Sequence, residues 1–143
     1  ASTWRKINVP GMWEPQLADL AQYDGYAWYR TEFSVPEAPD KPVTLSLAAI
    51  DDEDWTYLNG KPVGHIGQDT NPDNYWSAPR QYTISPGDLR EGRNLLVVRV
   101  NDLRQSGGFA AGPVGIFHPG PWLNSYYLDT PTNLDDPYRY YRW

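Results

Sequence analysis

Short apolar stretches alternate with turns rich in Pro, Gly, Asn and Asp along the 143 residues of the chain. Stretches of this length and spacing are typical of β-strands, and the 14 Pro and 12 Gly leave little room for long helices. The predicted strands span residues 26–35, 43–50, 55–58, 61–66, 81–84 and 94–101, with weaker candidates at 4–9, 115–117 and 122–128. Only residues 15–21 favour a helical turn. The pattern therefore predicts an all-β fold, a β-sandwich of two antiparallel sheets.

Two local features refine this prediction. Asn59-Gly60 lies between two predicted strands and is the strongest short hairpin signal, because both residues accept the positive φ angles of a tight turn. In the strand 26–35, an odd number of positions separates Trp28 from Phe33. Side chains alternate across a strand, so these two rings are predicted to face opposite sides of the sheet.

Loops that join successive antiparallel strands alternate between the two ends of a sheet. With the start of strand 26–35 taken as the upper end, loops 19–25, 51–54, 67–76 and 102–113 converge there, and we name them the upper rim. Its candidate ligand-binding residues are Tyr23, Asp24, Asp51, Asp52, Trp76, Asp102 and Arg104. Tyr23 and Trp76 are expected to offer flat stacking surfaces, and the charged residues are expected to hydrogen-bond to a sugar.

Composition narrows the range of partners. The net charge of −6 argues against a nucleic-acid partner, since such domains carry a basic stripe. No apolar run is long enough to span a membrane, and the absence of Cys excludes disulfides and thiolate metal sites. The 7 Trp and 11 Tyr, against only 3 Phe, suit sugar binding or protein interfaces. Core packing in a β-sandwich explains individual Trp and Tyr residues equally well.

No catalytic constellation is recognisable. Neither His65 nor His118 lies in a metal-ligand spacing, and the GxSxG motif of a nucleophilic serine is missing. Ser106 precedes two glycines but has no nearby base. The sequence therefore predicts a domain without catalytic residues of its own.

The acidic run 51–54 has three interpretations. It is a solvated turn in which Asp51 or Asp52 caps backbone amides, a sugar-binding group, or a site for a hard cation such as Ca²⁺. The spacing is not that of an EF-hand, so a structural Ca²⁺ is the weakest of the three and no other cofactor is predicted.

Several segments resemble known carbohydrate-active proteins. Residues 4–14 (WRKINVPGMWE) and 23–30 (YDGYAWYR) resemble the sugar-binding domain of glycoside hydrolase family two. Residues 50–54 (IDDED) and 57–64 (YLNGKPVG) resemble even more closely the jelly roll inserted in sialate O-acetylesterases. Segments 92–94 (GRN), 98–102 (VRVND) and 107–109 (GGF) complete the resemblance, which covers about residues 4–117. Beyond Gly108 the sequence departs from the pattern of these families.

This resemblance implies a galactose-binding-like jelly-roll β-sandwich, which we assign to residues 1–128. Residues 129–143 are polar and aromatic, and this composition predicts an extended tail or linker. The resemblance also implies a secreted or periplasmic parent protein whose catalytic domain is a partner. The first functional hypothesis is a non-catalytic carbohydrate-binding module; the alternative is a structural domain that braces the catalytic domain without binding sugar. A concave cluster of exposed aromatics on the upper rim would favour sugar, whereas a flat aromatic patch on a sheet face would favour a protein partner.

Overall fold

The computed structural model describes residues 4–117 and 126–128, and within them two antiparallel sheets with almost no helix. The strands are β1 (Gly11–Met12), β2 (Gly25–Val35), β3 (Val43–Asp51), β4 (Glu53–Leu58), β5 (Lys61–Ile66), β6 (Pro79–Ile84), β7 (Gly92–Asp102), β8 (Gly108–Phe109), β9 (Gly115–Phe117) and β10 (Tyr126–Tyr127). Two 3-10 turns, Ala18–Leu20 and Pro86–Asp88, are the only helical elements in these residues.

The larger sheet has the strand order β1-β8-β3-β9-β10, and β6 pairs with β3 beside this path. The smaller sheet has the order β2-β7-β4-β5. Every strand pair is antiparallel. The predicted all-β sandwich of two antiparallel sheets is therefore confirmed.

The core lies between the sheets, and in β2 and β7 the buried residues alternate with exposed or half-buried ones. In β2, Tyr29, Phe33 and Val35 are buried, whereas Tyr26 and Trp28 on alternate positions are exposed. The predicted opposition of Trp28 and Phe33 is thus confirmed. The larger sheet contributes an almost continuous apolar strand, β3, to this core.

The predicted strands agree with the observed ones in the middle of the chain but not near its start. Residues 4–9 form no strand, so the edge strand predicted there is wrong. The side chain of Gln16 takes the place of a partner strand, because its Oε1 accepts a hydrogen bond from Asn8 N–H at 2.7 Å and its Nε2 donates to Asn8 O at 3.0 Å. The pairing strand is instead β1, which lies next to β8.

The sequence predicts a loop over residues 51–54, and this prediction is wrong. β3 ends at Asp51 and β4 begins at Glu53, so Asp52 alone connects the larger sheet with the smaller one. The predicted tail, residues 129–143, and residues 122–125 of the last predicted strand lie outside the described residues. The boundary at residue 128 therefore stays a prediction. No helix in the described part of the chain is both long and apolar enough to cross a membrane.

Candidate functional site

Hydrogen bonds join the predicted loops at the upper rim. Asp52 Oδ2 accepts from Leu103 N–H at 2.8 Å, which ties the end of β3 to the segment after β7. Glu53 Oε2 accepts from Gln68 N–H at 2.8 Å and so anchors the loop between β5 and β6. The segment before β2 joins them through Glu14 Oε1, which accepts from Gly107 N–H at 2.8 Å. Loop 19–25 ends at Gly25, which pairs with Asp102 at the start of segment 102–113. Segments 19–25, 51–54, 67–76 and 102–113 therefore meet at this end of the sheets, as predicted.

Most of the predicted rim residues already serve the fold. Tyr23 OH donates to Tyr26 O at 2.8 Å, and its ring packs against Trp13 with the centroids 5.9 Å apart. Asp102 Oδ1 accepts from Arg104 N–H at 3.0 Å. Asp24 and the side chain of Arg104 are exposed. Half of Trp76 is buried, and its ring stands edge-on against Tyr75 in the separate loop between β5 and β6.

Carboxyl groups crowd the remaining part of the rim. Burial, a hydrogen bond with the carboxyl of Asp52 and repulsion by Asp52, Asp102 and Glu14 raise the pKa of Asp51 to about 8. Burial, reinforced by Asp24, Asp52 and Glu14, raises the pKa of Asp102 to about 7. Asp51 and Asp102 therefore hold protons near neutral pH and can donate as well as accept hydrogen bonds.

The geometry of these acids does not form a cation cage. Within residues 4–117 and 126–128, no three acidic or His side chains are arranged so that they could hold a metal ion. The predicted structural Ca²⁺ has no such ligand set in this part of the chain.

The raised pKa of Asp51 leads to a prediction about stability. An unfolded Asp releases its proton near pH ~3.9, whereas folded Asp51 holds it to about pH 8, so its contribution is complete at low pH and is lost as the pH rises through about 8. Asp51→Asn removes the penalty that the charged carboxylate causes above pH 8. We expect it to stabilise the protein by on the order of 1–2 kcal/mol at pH 9, a value reduced for solvent screening of this partly exposed group.

Urea unfolding between pH 3 and pH 9, followed by circular dichroism, measures this effect. The advantage of Asp51→Asn should vanish toward pH 3, where Asp51 is protonated in both the folded and the unfolded state. Asp40→Asn, at an exposed position between β2 and β3, is the matched control and should follow the parent at every pH. A pH-independent difference between Asp51→Asn and the parent would contradict the raised pKa.

A second candidate site lies on the outward side of the smaller sheet. Cross-strand pairing places Trp28 beside Arg99, Arg99 beside Trp55, and Trp55 beside His65, in one row across all four strands. Tyr26 and Tyr57 flank this row. We name the surface formed by Tyr26, Trp28, Trp55, Tyr57, His65 and Arg99 the aromatic face.

Arg99 occupies the centre of the aromatic face. Its guanidinium carbon lies 4.3 Å from the ring centroid of Trp55, 5.0 Å from that of Tyr26 and 5.8 Å from that of Trp28. These distances are those of cation–π contacts, which hold the guanidinium in place. Tyr26 is 52% exposed and Trp28 is 51% exposed, so both rings offer accessible surface beside this cation.

His65 adds a second cationic group at the end of the row. Its ring stacks on Trp55 with the centroids 4.7 Å apart and an interplanar angle of 20°. Nδ1 lies 2.7 Å from Asp54 O and Nε2 lies 2.8 Å from Asp69 Oδ1. Burial lowers the pKa of His65, but the hydrogen bonds and charges of Asp54 and Asp69 outweigh it and raise the pKa above its usual value. Both ring nitrogens donate when the ring is protonated, so this environment favours the imidazolium.

Sequence reasoning missed the aromatic face as a site. The signal was present in two alternating pairs, Tyr26 with Trp28 and Trp55 with Tyr57, each of which points to one side of its strand. The strand order that brings these pairs together around Arg99 was not available from the pattern.

Asp54, at the end of the acidic run, belongs to a buried cluster between the sheets. Its Oδ1 accepts from Arg80 Nε at 2.8 Å, and both side chains are fully buried. Tyr82 OH lies 2.8 Å from Asp54 Oδ2 and Thr56 OH donates to the same oxygen at 2.7 Å. Burial, then the charge of Asp54, raises the pKa of Tyr82, which keeps its hydroxyl protonated. The solvated-turn interpretation of the acidic run is therefore wrong for Asp54.

Comparison with known proteins gives this geometry a family. Residues 10–106, more than half of the chain, match the family model of the second all-β domain of β-galactosidases. The chain belongs to this family. A search of curated proteins finds no match.

Solved structures agree with the family. The chain is 21% identical to a GH2 β-galacturonidase from Eisenbergiella tayi bound to glycerol, with 81% of this chain and 21% of that chain covered and a TM-score of 0.57. It is 24% identical to the Lactobacillus rhamnosus β-glucuronidase, with coverages of 71% and 17% and a TM-score of 0.59. For the Bifidobacterium dentium β-glucuronidase complexed with coumarin-3-O-glucuronide, the identity is 26%, the coverages are 65% and 14%, and the TM-score is 0.55.

The chain spans about a fifth or less of the length of these enzymes. The chain is thus an accessory domain of the kind found in family-two glycoside hydrolases. The predicted resemblance to a domain of these hydrolases is confirmed. The resemblance to the sialate O-acetylesterase jelly roll stays a prediction.

Proposed function

We propose that the chain is a carbohydrate-binding accessory domain of a family-two glycoside hydrolase and that the aromatic face is its sugar platform. The observation that carries the proposal is the half-exposed pair Tyr26 and Trp28 beside the fixed guanidinium of Arg99. A pyranose ring has an apolar C–H face that stacks on such rings and hydroxyl groups that accept from such a donor.

The alternative is that this face packs against the catalytic domain of the parent protein. Its position on a sheet favours that alternative, because a sheet face suits a flat partner. In its composition, the row alternates the rings Trp28 and Trp55 with the cationic side chains Arg99 and His65. Trp, Tyr and Arg are also enriched in protein interfaces, so these residue types alone do not exclude a protein partner. What favours sugar is that no carboxylate among the described residues pairs with Arg99, because sugar hydroxyls accept hydrogen bonds from a guanidinium without a buried counter-charge.

The upper rim is the competing location for the sugar, instead of the aromatic face. Trp76 is 45% exposed, and hydrogen bonds within its loop hold it in place, including those from Ser77 N–H and Ala78 N–H to Asn74 O at 3.0 and 2.8 Å. A fixed, exposed indole is a suitable stacking surface. The parent protein is proposed to be secreted or periplasmic, and to act on a glycoside as the similar enzymes named above do.

Affinity electrophoresis of the 143-residue chain through gels that contain soluble neutral and acidic polysaccharides tests the proposal. We expect at least one polysaccharide to retard the parent chain and Trp28→Ala to weaken this binding about tenfold, which corresponds to the ~1.4 kcal/mol of one lost stacking contact. Trp76→Ala and Asp51→Ala are the matched variants on the upper rim and should migrate like the parent.

The outcomes separate the alternatives. Loss of retardation in Trp76→Ala but not in Trp28→Ala would place the sugar on the upper rim. A folded parent chain that no polysaccharide retards would contradict carbohydrate binding and leave the bracing function. Thermal unfolding of each variant shows whether it is folded, and both Trp residues are exposed enough for truncation to leave the core intact.

A further inference from the structure

Arg99 differs from the other cationic side chains that the structure describes. Five Lys or Arg side chains pair with carboxylates, namely Arg5, Arg30, Lys61, Arg80 and Arg93. The remaining Lys and Arg side chains among the described residues are exposed, apart from Arg99. Arg99 is partly buried among aromatic rings, has no carboxylate within ion-pair distance, and its buried Nε has no hydrogen-bond partner among the described residues.

The acids that border the aromatic face are engaged elsewhere. Glu53, two residues before Trp55 on β4, accepts hydrogen bonds from Asn101 Nδ2 at 3.0 Å and from Gln68 N–H. Asp69 is bonded to His65. Glu32, four residues after Trp28 on β2, forms an ion pair with Arg30 at 2.9 Å. The centre of the face therefore presents a guanidinium with which no carboxylate of the described residues makes an ion pair, on a chain whose net charge is −6.

We infer that Arg99 recognises the carboxylate of an acidic sugar, so that the glycan bound on the aromatic face contains uronic acid residues. This inference rests on the proposed function. The guanidinium lies 5.0 Å and 5.8 Å from the ring centroids of Tyr26 and Trp28, which places its donors beside a pyranose stacked on either ring. The carboxylate of a uronic acid projects from the edge of that pyranose and matches the planar fork of an arginine.

Preorganisation strengthens this recognition. Cation–π contacts with three rings hold the guanidinium before the ligand arrives, so less side-chain freedom is lost on binding than for a mobile surface Arg. Protonated His65, on the other side of Trp55, is already paired with Asp69, so Arg99 is the cation of the face that is left to recognise an anionic ligand.

Titration calorimetry with trigalacturonate and its fully methyl-esterified form tests the inference, because the two ligands share their rings and differ in charge. We expect the parent chain to bind the acid form at least tenfold more tightly at low salt, and added NaCl to reduce this preference. Arg99→Gln should bind both forms equally, and Arg99→Lys should keep part of the preference because it keeps the charge.

Each outcome bears on a different claim. Equal binding of the two forms by the parent chain would overturn the inference and leave carbohydrate binding intact. Failure of the folded parent chain to bind trigalacturonate, its ester or any polysaccharide would overturn both proposals. An acid preference that persists in folded Arg99→Gln would show that another residue recognises the carboxylate. The ester comparison needs no variant, so it stands even if a substitution of Arg99 disturbs the rings.

Discussion

Replacement of Arg80 by Met is expected to lower the free energy of unfolding by about 3–5 kcal/mol. Arg80 and Asp54 are both fully buried, and the guanidinium also donates to Asp52 O and Ala78 O at 2.8 Å each. Removal of the cation leaves the Asp54 carboxylate buried without its counter-charge and leaves two backbone carbonyls without these donors.

Equilibrium unfolding in urea measures the loss, and a double variant provides the control. Arg80→Met combined with Asp54→Leu removes both charges together, so part of the lost stability should return. The hydroxyls of Thr56 and Tyr82 still lose their acceptor, and the two carbonyls still lack their donors, so the recovery is incomplete. A loss below about 1 kcal/mol in the single variant would show that the pair contributes little and that other contacts join the sheets. No recovery in the double variant would show that the lost hydrogen bonds, and not the uncompensated charge of Asp54, cause the destabilisation.

Substitution of Gly64 by Ala is expected to cost about 3 kcal/mol, at the upper end for an overpacked site. A Cβ atom at this position would overlap Cγ and both Cδ atoms of the Tyr82 ring. These atoms lie at the root of the side chain, so the ring cannot move aside without a shift of β6. Tyr82 OH would then lose its hydrogen bonds to Asp54, at 2.8 and 2.9 Å.

Two comparisons isolate this effect. Gly87→Ala is the matched control, since nothing lies within 4 Å of its added Cβ, and it should change stability by less than about 0.5 kcal/mol. In a Tyr82→Ala background, Gly64→Ala should cost little, because the ring that it displaces is gone. An equally large cost in both backgrounds would mean that Gly64 is needed for its backbone and not for the ring of Tyr82.

Much of the fold could be predicted because the information is local. The alternation in β2 fixed which rings enter the core, and Asn59-Gly60 adopts φ angles of 51° and 83° at the turn between β4 and β5. The convergence of the loops needed only antiparallel pairing. The two-residue strands β1 and β8 are too short to show any alternation, so no sequence pattern marks them.

The candidate site could be predicted only in part, because its contacts are long-range. Trp55 and Arg99 meet only through the pairing of β4 with β7, and Asp54 and Arg80 meet only because two sheets pack together. The aspartates of the run 51–54 look alike in the sequence, yet Asp54 is fully buried in an ion pair whereas Asp51 keeps solvent contact. Hydrophobic periodicity carries no information about such pairing.

The single-residue passage at Asp52 sets a limit on how this domain can be altered. Because β3 lies in one sheet and β4 in the other, the one-residue connection is too short to accommodate an inserted residue without a change in either strand. An insertion here would shift β4 against β7 and turn its inward side chains outward. The loop between β5 and β6, by contrast, spans residues 67–78 and carries exposed positions. Grafted peptides, labels or fusion points therefore belong in that loop, and the junction of the two sheets is the place to leave untouched.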